Sequence, residues 1–414
     1  MPNGNSVPHA ATRDAALRAR AAHVIPGGLW GHLDAAKLPG NYPQFFARAE
    51  GCRLWDVDGR EVIDLMCSWG PVVLGHHHPA VEDAARRQAA LGDCMNGPGP
   101  VLVDLAELLV RTVAHADWCQ LSKNGGDATT ACVTIARAGT GRRKLLVARG
   151  SYHGAAPWCS PSVAGVTAED RAHLIPFDYN DLDSLHRAAG AAGADLAGLI
   201  VTAFRHDMGV ALELPTPAFA QAARAVCDNG GGALILDDVR AGFRLDLAGS
   251  WEVLGVRPDL SAFSKAIANG HPLAAVTGTD RFRGAATRVF STGSFWCGAV
   301  PMAAAVATIT ELQRIDGPAR MRAMGQRLRE GVAASAARHG VPVLQSGPPQ
   351  MPLIQIEGDA GTRLGTLMCA AALDHGAYLH PRHNMFLSCA HGPTEIDAVL
   401  HAIDAGLQEV ARHG

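Results

Sequence analysis

Ala233-Leu234-Ile235-Leu236-Asp237-Asp238-Val239 is a run of four apolar residues that ends in two carboxylates. A short apolar run without alternation is what a strand covered on both faces requires. Upstream, Leu199-Ile200-Val201-Thr202 has the same character, and residues 216–228 between the two read as a helix. Strand, helix, strand in that order predicts a mainly parallel sheet with right-handed crossovers. The carboxylate that closes the strand then sits at the carboxyl edge of the sheet, where open α/β folds bind ligands. Downstream, Leu260-Ser261-Ala262-Phe263 is a further apolar run, and Lys265 follows it before the turn Ala266-Ile267-Ala268-Asn269-Gly270-His271-Pro272.

Outward from this centre the rhythm continues. Residues 102–114 and 128–138 read as helices and 144–148 as a strand. Nearer the amino terminus, residues 13–24 form a short helix ended by Pro26-Gly27-Gly28. Leu54 to Asp64 reads as two strands around the Asp58-Gly59 hairpin turn. Past residue 300 the pattern changes to long helices at 301–313 and 318–338. Strands near 341–345, 352–356 and 384–388 follow, with helices at 363–375 and 394–411. The expected fold is therefore α/β, with a large unit at 66–300 and a smaller α/β unit at 301–414 joined by residues 1–65. A chain of 414 residues exceeds one hydrophobic core, which agrees with two packed units.

Composition removes several function classes. Hydrophobic residues make up 48% and charged residues 18%, as in a compact protein rather than a disordered one. A net charge of -3 gives no electrostatic case for nucleic acid or an anionic membrane. No apolar stretch is long enough to span a bilayer, and the amino terminus lacks the apolar centre of a secretory signal, so a cytoplasmic address is expected. None of the 10 cysteines forms a C-x-x-C pair, which argues against zinc and against a disulfide framework. The run His76-His77-His78 precedes Pro79, and adjacent histidines there point different ways, so no metal is expected.

Lysine is scarce: Lys37, Lys123, Lys144 and Lys265 are the only ones. Lys144 lies at a strand entrance beside Arg142-Arg143, and Lys37 in a polar loop. Lys265, at the end of a buried strand, is in an unusual place for a solvated charge. Desolvation there lowers its pKa and makes the amine nucleophilic toward an aldehyde. Asp237 fits the anion that a protonated pyridine nitrogen of pyridoxal 5'-phosphate (PLP) needs, or else a helix cap or loop carboxylate. Lys123-Asn124-Gly125-Gly126-Asp127 leads into a helix, where free backbone N–H groups make an anion site, or a tight turn capped by Asp127. Gly150-Ser151-Tyr152-His153-Gly154 offers an aromatic that can lie on a heteroaromatic ring, or is merely a polar loop.

In this order and at these distances the four pieces resemble the class III aminotransferases of PLP fold type I. Within that family the chain is most similar to glutamate-1-semialdehyde aminomutases. The likeness runs from about Ala22 to the carboxyl terminus. Arg48 to Gly59 resembles the family's opening hairpin, and Leu74-Gly75-His76-His77-His78-Pro79 its Leu-Gly-His-x-His-Pro turn. Asp237-Asp238-Val239-Arg240-Ala241-Gly242-Phe243-Arg244 resembles Asp-Glu-Val-x-x-Gly-Phe-Arg, and Pro258-Asp259-Leu260 leads to Lys265 at the family's spacing. The resemblance implies a mainly parallel seven-stranded sheet in the large unit and a smaller unit drawn from both termini. It implies that Lys265 holds PLP as a Schiff base and moves protons, that Asp237 pairs with the ring nitrogen and that Tyr152 stacks on the ring. Backbone amides around Gly125, Gly126 and Asp127 would hold the phosphate. Ser294 matches a family Thr that reaches the neighbouring subunit's phosphate, so a homodimer with shared active sites is implied.

The departures bear on substrate. Where the family has Asn-Ser-Gly-Thr-Glu-Ala, this chain has Asn124-Gly125-Gly126-Asp127-Ala128, without the hydroxyls. Asp238 replaces a Glu, and Phe295-Trp296-Cys297-Gly298 replaces Ser-Gly-Asn-Pro. An aminomutase Arg that holds the substrate carboxylate is matched here by Asp34. With Trp30 and His32 this favours a cation or hydroxyl over an anion, and so an amino sugar or other polyol amine. Ala268-Asn269-Gly270-His271 is similar to members that act on aminoglycoside intermediates of antibiotic biosynthesis. The expected reaction is ping-pong transamination between a donor, glutamate, and the carbonyl of a small polar substrate. Arg382 and Arg240 are the candidates for the glutamate carboxylate. The alternative is an epimerase or aminomutase, with Lys265 supplying one proton and His153, which would then face the substrate, or Cys297 the other. A non-catalytic relative would lack Schiff-base absorbance.

Overall fold

The computed structural model describes residues 12–31, 33 and 40–413. The chain opens with helix α1 (Arg13–Val24), then strands β1 (Phe46–Glu50), β2 (Arg53–Asp56) and β3 (Glu61–Asp64). Both pairings are antiparallel. The Asp58-Gly59 turn closes because Gly59 adopts φ +89° and the Asp56 carboxylate accepts from the amides of Asp58 and Arg60. Asp58 in turn accepts from the amides of Arg13 (2.7 Å) and Asp14 (3.2 Å), an anion at the start of α1 that ties it to the hairpin.

The large unit follows as α2 (Pro79–Leu91), α3 (Val101–Thr112), β4 (Trp118–Ser122), α4 (Gly125–Thr140), β5 (Lys144–Ala148), β6 (Leu174–Phe177), α5 (Leu182–Ala192), β7 (Leu196–Thr202), α6 (Pro217–Gly230), β8 (Ala233–Asp237), β9 (Leu260–Phe263), β10 (Ala274–Gly278) and α7 (Asp280–Ala286). The seven-stranded sheet has the order β4-β10-β9-β8-β7-β5-β6. It is parallel except for β10, which runs antiparallel to both β4 and β9.

Every residue of β7, β8, β9 and β10 is buried. The apolar runs are continuous because successive side chains enter two different cores. Leu146, Leu199, Val201, Leu234 and Leu236 pack with Leu185 of α5 and Phe219 and Ala223 of α6. Leu145, Ile200 and Ile235 pack with Cys132 and Ile135 of α4 and Phe282 of α7.

The remainder is α8 (Ala299–Ile315), α9 (Gly317–His339), β11 (Val343–Ser346), β12 (Leu353–Ile356), α10 (Arg363–Asp374), β13 (Ala377–Tyr378) and α11 (Pro393–His413). The two ends of the chain share a sheet, since β13 pairs in parallel with β3, Ala377 opposite Ile63. The boundary expected at residue 300 falls at the start of α8, which packs against α2 and α3.

One expected strand is not formed. Residues 384–388 make no ladder, because their amides alternate between neighbours: Met385 and Leu387 donate to the carbonyls of Pro352 and Gln350, while Phe386 donates to that of Leu65. The segment is wedged between two parts of the molecule rather than paired with one. All ten cysteines are free thiols, with Cys52, Cys67, Cys132, Cys227 and Cys369 buried and Cys94 exposed. His76 binds the Asp64 carboxylate at 2.9 Å, and among the described residues no cluster could hold a metal ion. No helix among them is long and apolar enough to cross a membrane.

Candidate active site

Lys265 follows the buried end of β9 on a turn whose residues are pressed into the left-handed region: Lys265 at φ +46°, Asn269 at +45° and Gly270 at +99°. Its Nζ donates to the carbonyl of Trp69 at 3.0 Å. Trp69 ends a run of three left-handed non-glycine residues, Cys67, Ser68 and Trp69, which is strained backbone held by its surroundings. Burial pushes the Lys265 ammonium down to about 7, the Arg240 and Arg244 cations assist, and Asp237 opposes them. Near neutral pH a large share of this amine is unprotonated, and so nucleophilic.

The neighbouring strand β8 delivers Asp237, 6% exposed. One carboxylate oxygen accepts from the amide of Val239 (3.1 Å) and the other meets His153 Nδ1 at 2.7 Å. His153 Nε2 lies 3.0 Å from Ser151 Oγ, whose hydroxyl donates to the carbonyl of Ala148 (2.7 Å). The imidazole is 2% exposed and stacks on Trp158, ring centroids 6.1 Å apart. This differs from the expectation that His153 faces the substrate. Both ring nitrogens are spent within the protein, so it orients Asp237 from behind.

Opposite these, α4 begins at Gly125. Asn124 and Asp127 form a capping box, Asp127 Oδ2 accepting from the Asn124 amide at 2.9 Å. The Asp127 amide is itself donated to the Asn124 carbonyl (3.0 Å). That leaves the amides of Gly125 and Gly126 as the first-turn donors for an anion, in place of the expected trio. The glycines are needed for contact. A Cβ on Gly125 would meet Val239 Cγ1 at 2.6 Å, and one on Gly154, at φ +125°, would meet Gly126 Cα at 2.9 Å. Thr129 binds the carbonyl of His153 (2.6 Å) and Thr130 accepts from the Trp158 indole (3.0 Å), locking residues 151–158 to α4. Tyr152 stays 46% exposed, and burial raises its phenol pKa while Arg240 lowers it.

The other side of Lys265 was not assembled by the sequence reading. Trp69 meets His380 and His383 edge-on, centroids 5.5 and 5.0 Å apart. Burial pushes His380 down to about 4, and burial with the Arg240 charge holds His206 and His383 well below their ordinary values. Arg240 donates to His383 Nε2 (3.0 Å) and to Asn384 Oδ1. The concentration of polar residues in His380-Pro381-Arg382-His383-Asn384 was the available signal. Arg382 and Ser294 are exposed, as is Trp30 at 67%, and Cys297 sits against the Met95 carbonyl (3.7 Å). His32 and Asp34 lie outside the described residues.

Comparison with known proteins decides the family. The class-III aminotransferase model matches residues 36–392. The chain belongs to the class-III aminotransferases. An "aminopentol aminotransferase" of Sphingopyxis macrogoltabida is 46% identical over 97% of this chain and 95% of that one. A glutamate-1-semialdehyde 2,1-aminomutase of Nitrosospira multiformis is 32% identical, over 94% and 97%. Among solved structures, the FumI protein of Sphingopyxis sp. MTA144, described as its PLP internal aldimine form, has a TM-score of 0.95 and 45% identity, with 97% of each chain covered. This class-III aminotransferase is a PLP enzyme of fold type I. Its residues fit the cofactor. A glycine cradle at a helix start, a buried carboxylate at one strand end and a desolvated lysine at the next converge on one sheet edge.

Proposed function

We propose that the enzyme transfers an amino group between an amino acid, with glutamate as donor, and a small hydroxylated substrate of the amino-polyol class. The observation that carries the chemistry is the desolvated Lys265 amine, held on the Trp69 carbonyl beside the buried Asp237–His153 pair. The substrate class draws on the 46% identical relative, whose name denotes an amino-polyol.

In this reading Lys265 would hold PLP through its aldehyde carbon and would carry the proton at the reacting carbon. Asp237, kept in place by His153 and Val239, pairs with the ring nitrogen; the amides of Gly125 and Gly126 hold the phosphate, and Tyr152 covers the ring. Bound there, PLP supplies an electron sink for the bond that breaks at the amine-bearing carbon. The aromatic wall of Trp69, His380 and His383 excludes water from the face where Lys265 works. Ser294, exposed on its own chain, fits a contact with the phosphate of a second copy in a cytoplasmic homodimer.

The 32% identity to aminomutases supports a second reading, amino-group migration or epimerisation without a donor. A half-reaction separates the two. Glutamate should convert the bound cofactor's absorbance to that of its amine form, with release of 2-oxoglutarate. A cofactor that glutamate and other amino donors leave unchanged, while the enzyme isomerises a lone amine, would replace the first reading by the second. Borohydride reduction should fix the cofactor's mass to the single peptide containing Lys265, and labelling elsewhere would remove the assignment.

A further inference from the structure

We propose that Arg240 anchors the carboxylate of the amino-acid partner in the transfer, an inference that rests on the aminotransferase reading above. Arg240 leaves β8 three residues after Asp237 and is partly buried. Its Nη1 donates to two neutral acceptors, His383 Nε2 at 3.0 Å and Asn384 Oδ1. Both acceptors are fixed in that role. His383 gives its Nδ1 hydrogen to the Asn384 carbonyl (2.7 Å), and Asn384 spends its amide hydrogen on the Met385 carbonyl (2.9 Å). The guanidinium is thus oriented without its charge being cancelled.

The rest of the fork is unused. Nε is buried without a partner, and among the described residues Nη2 makes no hydrogen bond and no carboxylate lies within ion-pairing distance of Arg240. Two other arginines with an unpaired buried Nε do have a carboxylate: Arg205 pairs with Glu213 at 2.9 Å and Arg224 with Asp259 at 2.8 Å. Desolvation without a partner lowers Arg240 to about 10, and Asp237, Tyr152 and Asp207 offset this only in part.

Its place is set by contacts. His383, which accepts from Nη1, meets the Trp69 ring edge-on at 5.0 Å, and the Trp69 carbonyl accepts from Lys265 Nζ at 3.0 Å. That chain of contacts puts the cation near the reacting amine, whose pKa its charge helps to lower. A hydroxyl could satisfy one N–H but not the charge, whereas a carboxylate matches the planar fork with two oxygens and neutralises it. A mere brace between β8 and residues 383–384 would need only Nη1, and a neutral amide would serve it at less desolvation cost. The polyol partner, by contrast, carries no anion and would use the same face without this contact.

Holoenzymes of wild type, Arg240→Met and Arg240→Lys test the assignment. Each is mixed with L-glutamate, L-alanine and 2-aminopropane-1,3-diol, a hydroxylated amine without a carboxylate, and conversion of the cofactor to its amine form is followed by absorbance. Binding of glutarate, which cannot react, is titrated separately by its perturbation of the same band. In Arg240→Met the rate ratio of amino acid to amine should fall about 100-fold, as for loss of a charge-assisted bidentate contact. Glutarate binding should weaken about as much, and Arg240→Lys should recover part of both. An unchanged ratio with unchanged glutarate binding would overturn the anchor, as would equal losses for amino acids and amine, the signature of a brace. If wild type converts its cofactor with none of these amines, the aminotransferase reading fails. Glutarate binding to wild type against Arg240→Met then decides the anchor alone.

Discussion

Arg244 and Arg240 lie four residues apart on the segment that leaves β8, and burial lowers the pKa of both. What surrounds them differs. Arg244 is 0% exposed and spends its fork on backbone: Nη2 donates to the carbonyls of Gly70 (2.7 Å) and Val72 (3.2 Å), Nη1 to that of Leu387, and its plane lies over Phe386 at 5.1 Å. It staples the strained 67–70 loop to the C-terminal segment beneath Lys265. Among the described residues Arg240 makes hydrogen bonds only through Nη1, to two side chains, and its charge helps to lower the pKa of the reacting amine. Of these two cations in one motif, Arg244 uses both terminal nitrogens on backbone, whereas Arg240 has no hydrogen bond from Nη2 among the described residues; the Nε of each is unpaired.

The contrast can be tested from its largest consequence downward. Lys265→Ala removes the amine that both cations bear on. Turnover should fall by at least about 10³-fold, the scale of a lost proton-transfer group, while the thermal unfolding midpoint stays close to wild type. A variant retaining full turnover would break the site assignment.

Arg244→Met strands three carbonyls that have no other donor among the described residues, and the holoenzyme should lose about 3 kcal/mol in denaturant unfolding. Arg240→Met removes an uncompensated charge and should cost about 1 kcal/mol or less in the same measurement. Equal losses would erase the distinction drawn between them. Gly154→Ala places a Cβ against Gly126 at a φ of +125°, so stability should drop by about 1–3 kcal/mol and PLP should be retained less well on dialysis. The smallest effect is in pH. Only the unprotonated Lys265 amine attacks an aldehyde, and its pKa is depressed from 10.5 to about 7. Recapture of PLP by apoenzyme should therefore quicken as pH rises through about 7 and level off above it, with no further rise toward 10.5.

Residues 384–388 and His153 show where local pattern stops being informative. The first has the apolar character of a strand, yet its amides answer to Leu65 on one side and Gln350 and Pro352 on the other. Apolar character reports burial, and hydrogen-bond partners come from elsewhere in the chain. His153 sits two residues from Ser151 in a loop that reads as polar, but Asp237, 84 positions away, decides which way the ring faces. Asp127 was read from the chain as a possible cap of a tight turn, and the capping geometry consumes the amide that the phosphate reading had counted.

From the chain alone came the α/β class, the apolar runs that form β5, β7, β8 and β9, and the two groups that follow the last two of them, Asp237 and Lys265. These are local facts, since a continuous apolar run and the charge that ends it are written within a dozen residues. Arg240 was one of two arginines named from the chain for the glutamate carboxylate, and what sets it apart from Arg382 came only from the folded molecule. Arg240 and His383 are 143 positions apart, and Trp69 lies 196 from Lys265. Whether a buried cation is satisfied or left free depends on distant backbone brought beside it, and no periodicity or spacing encodes that.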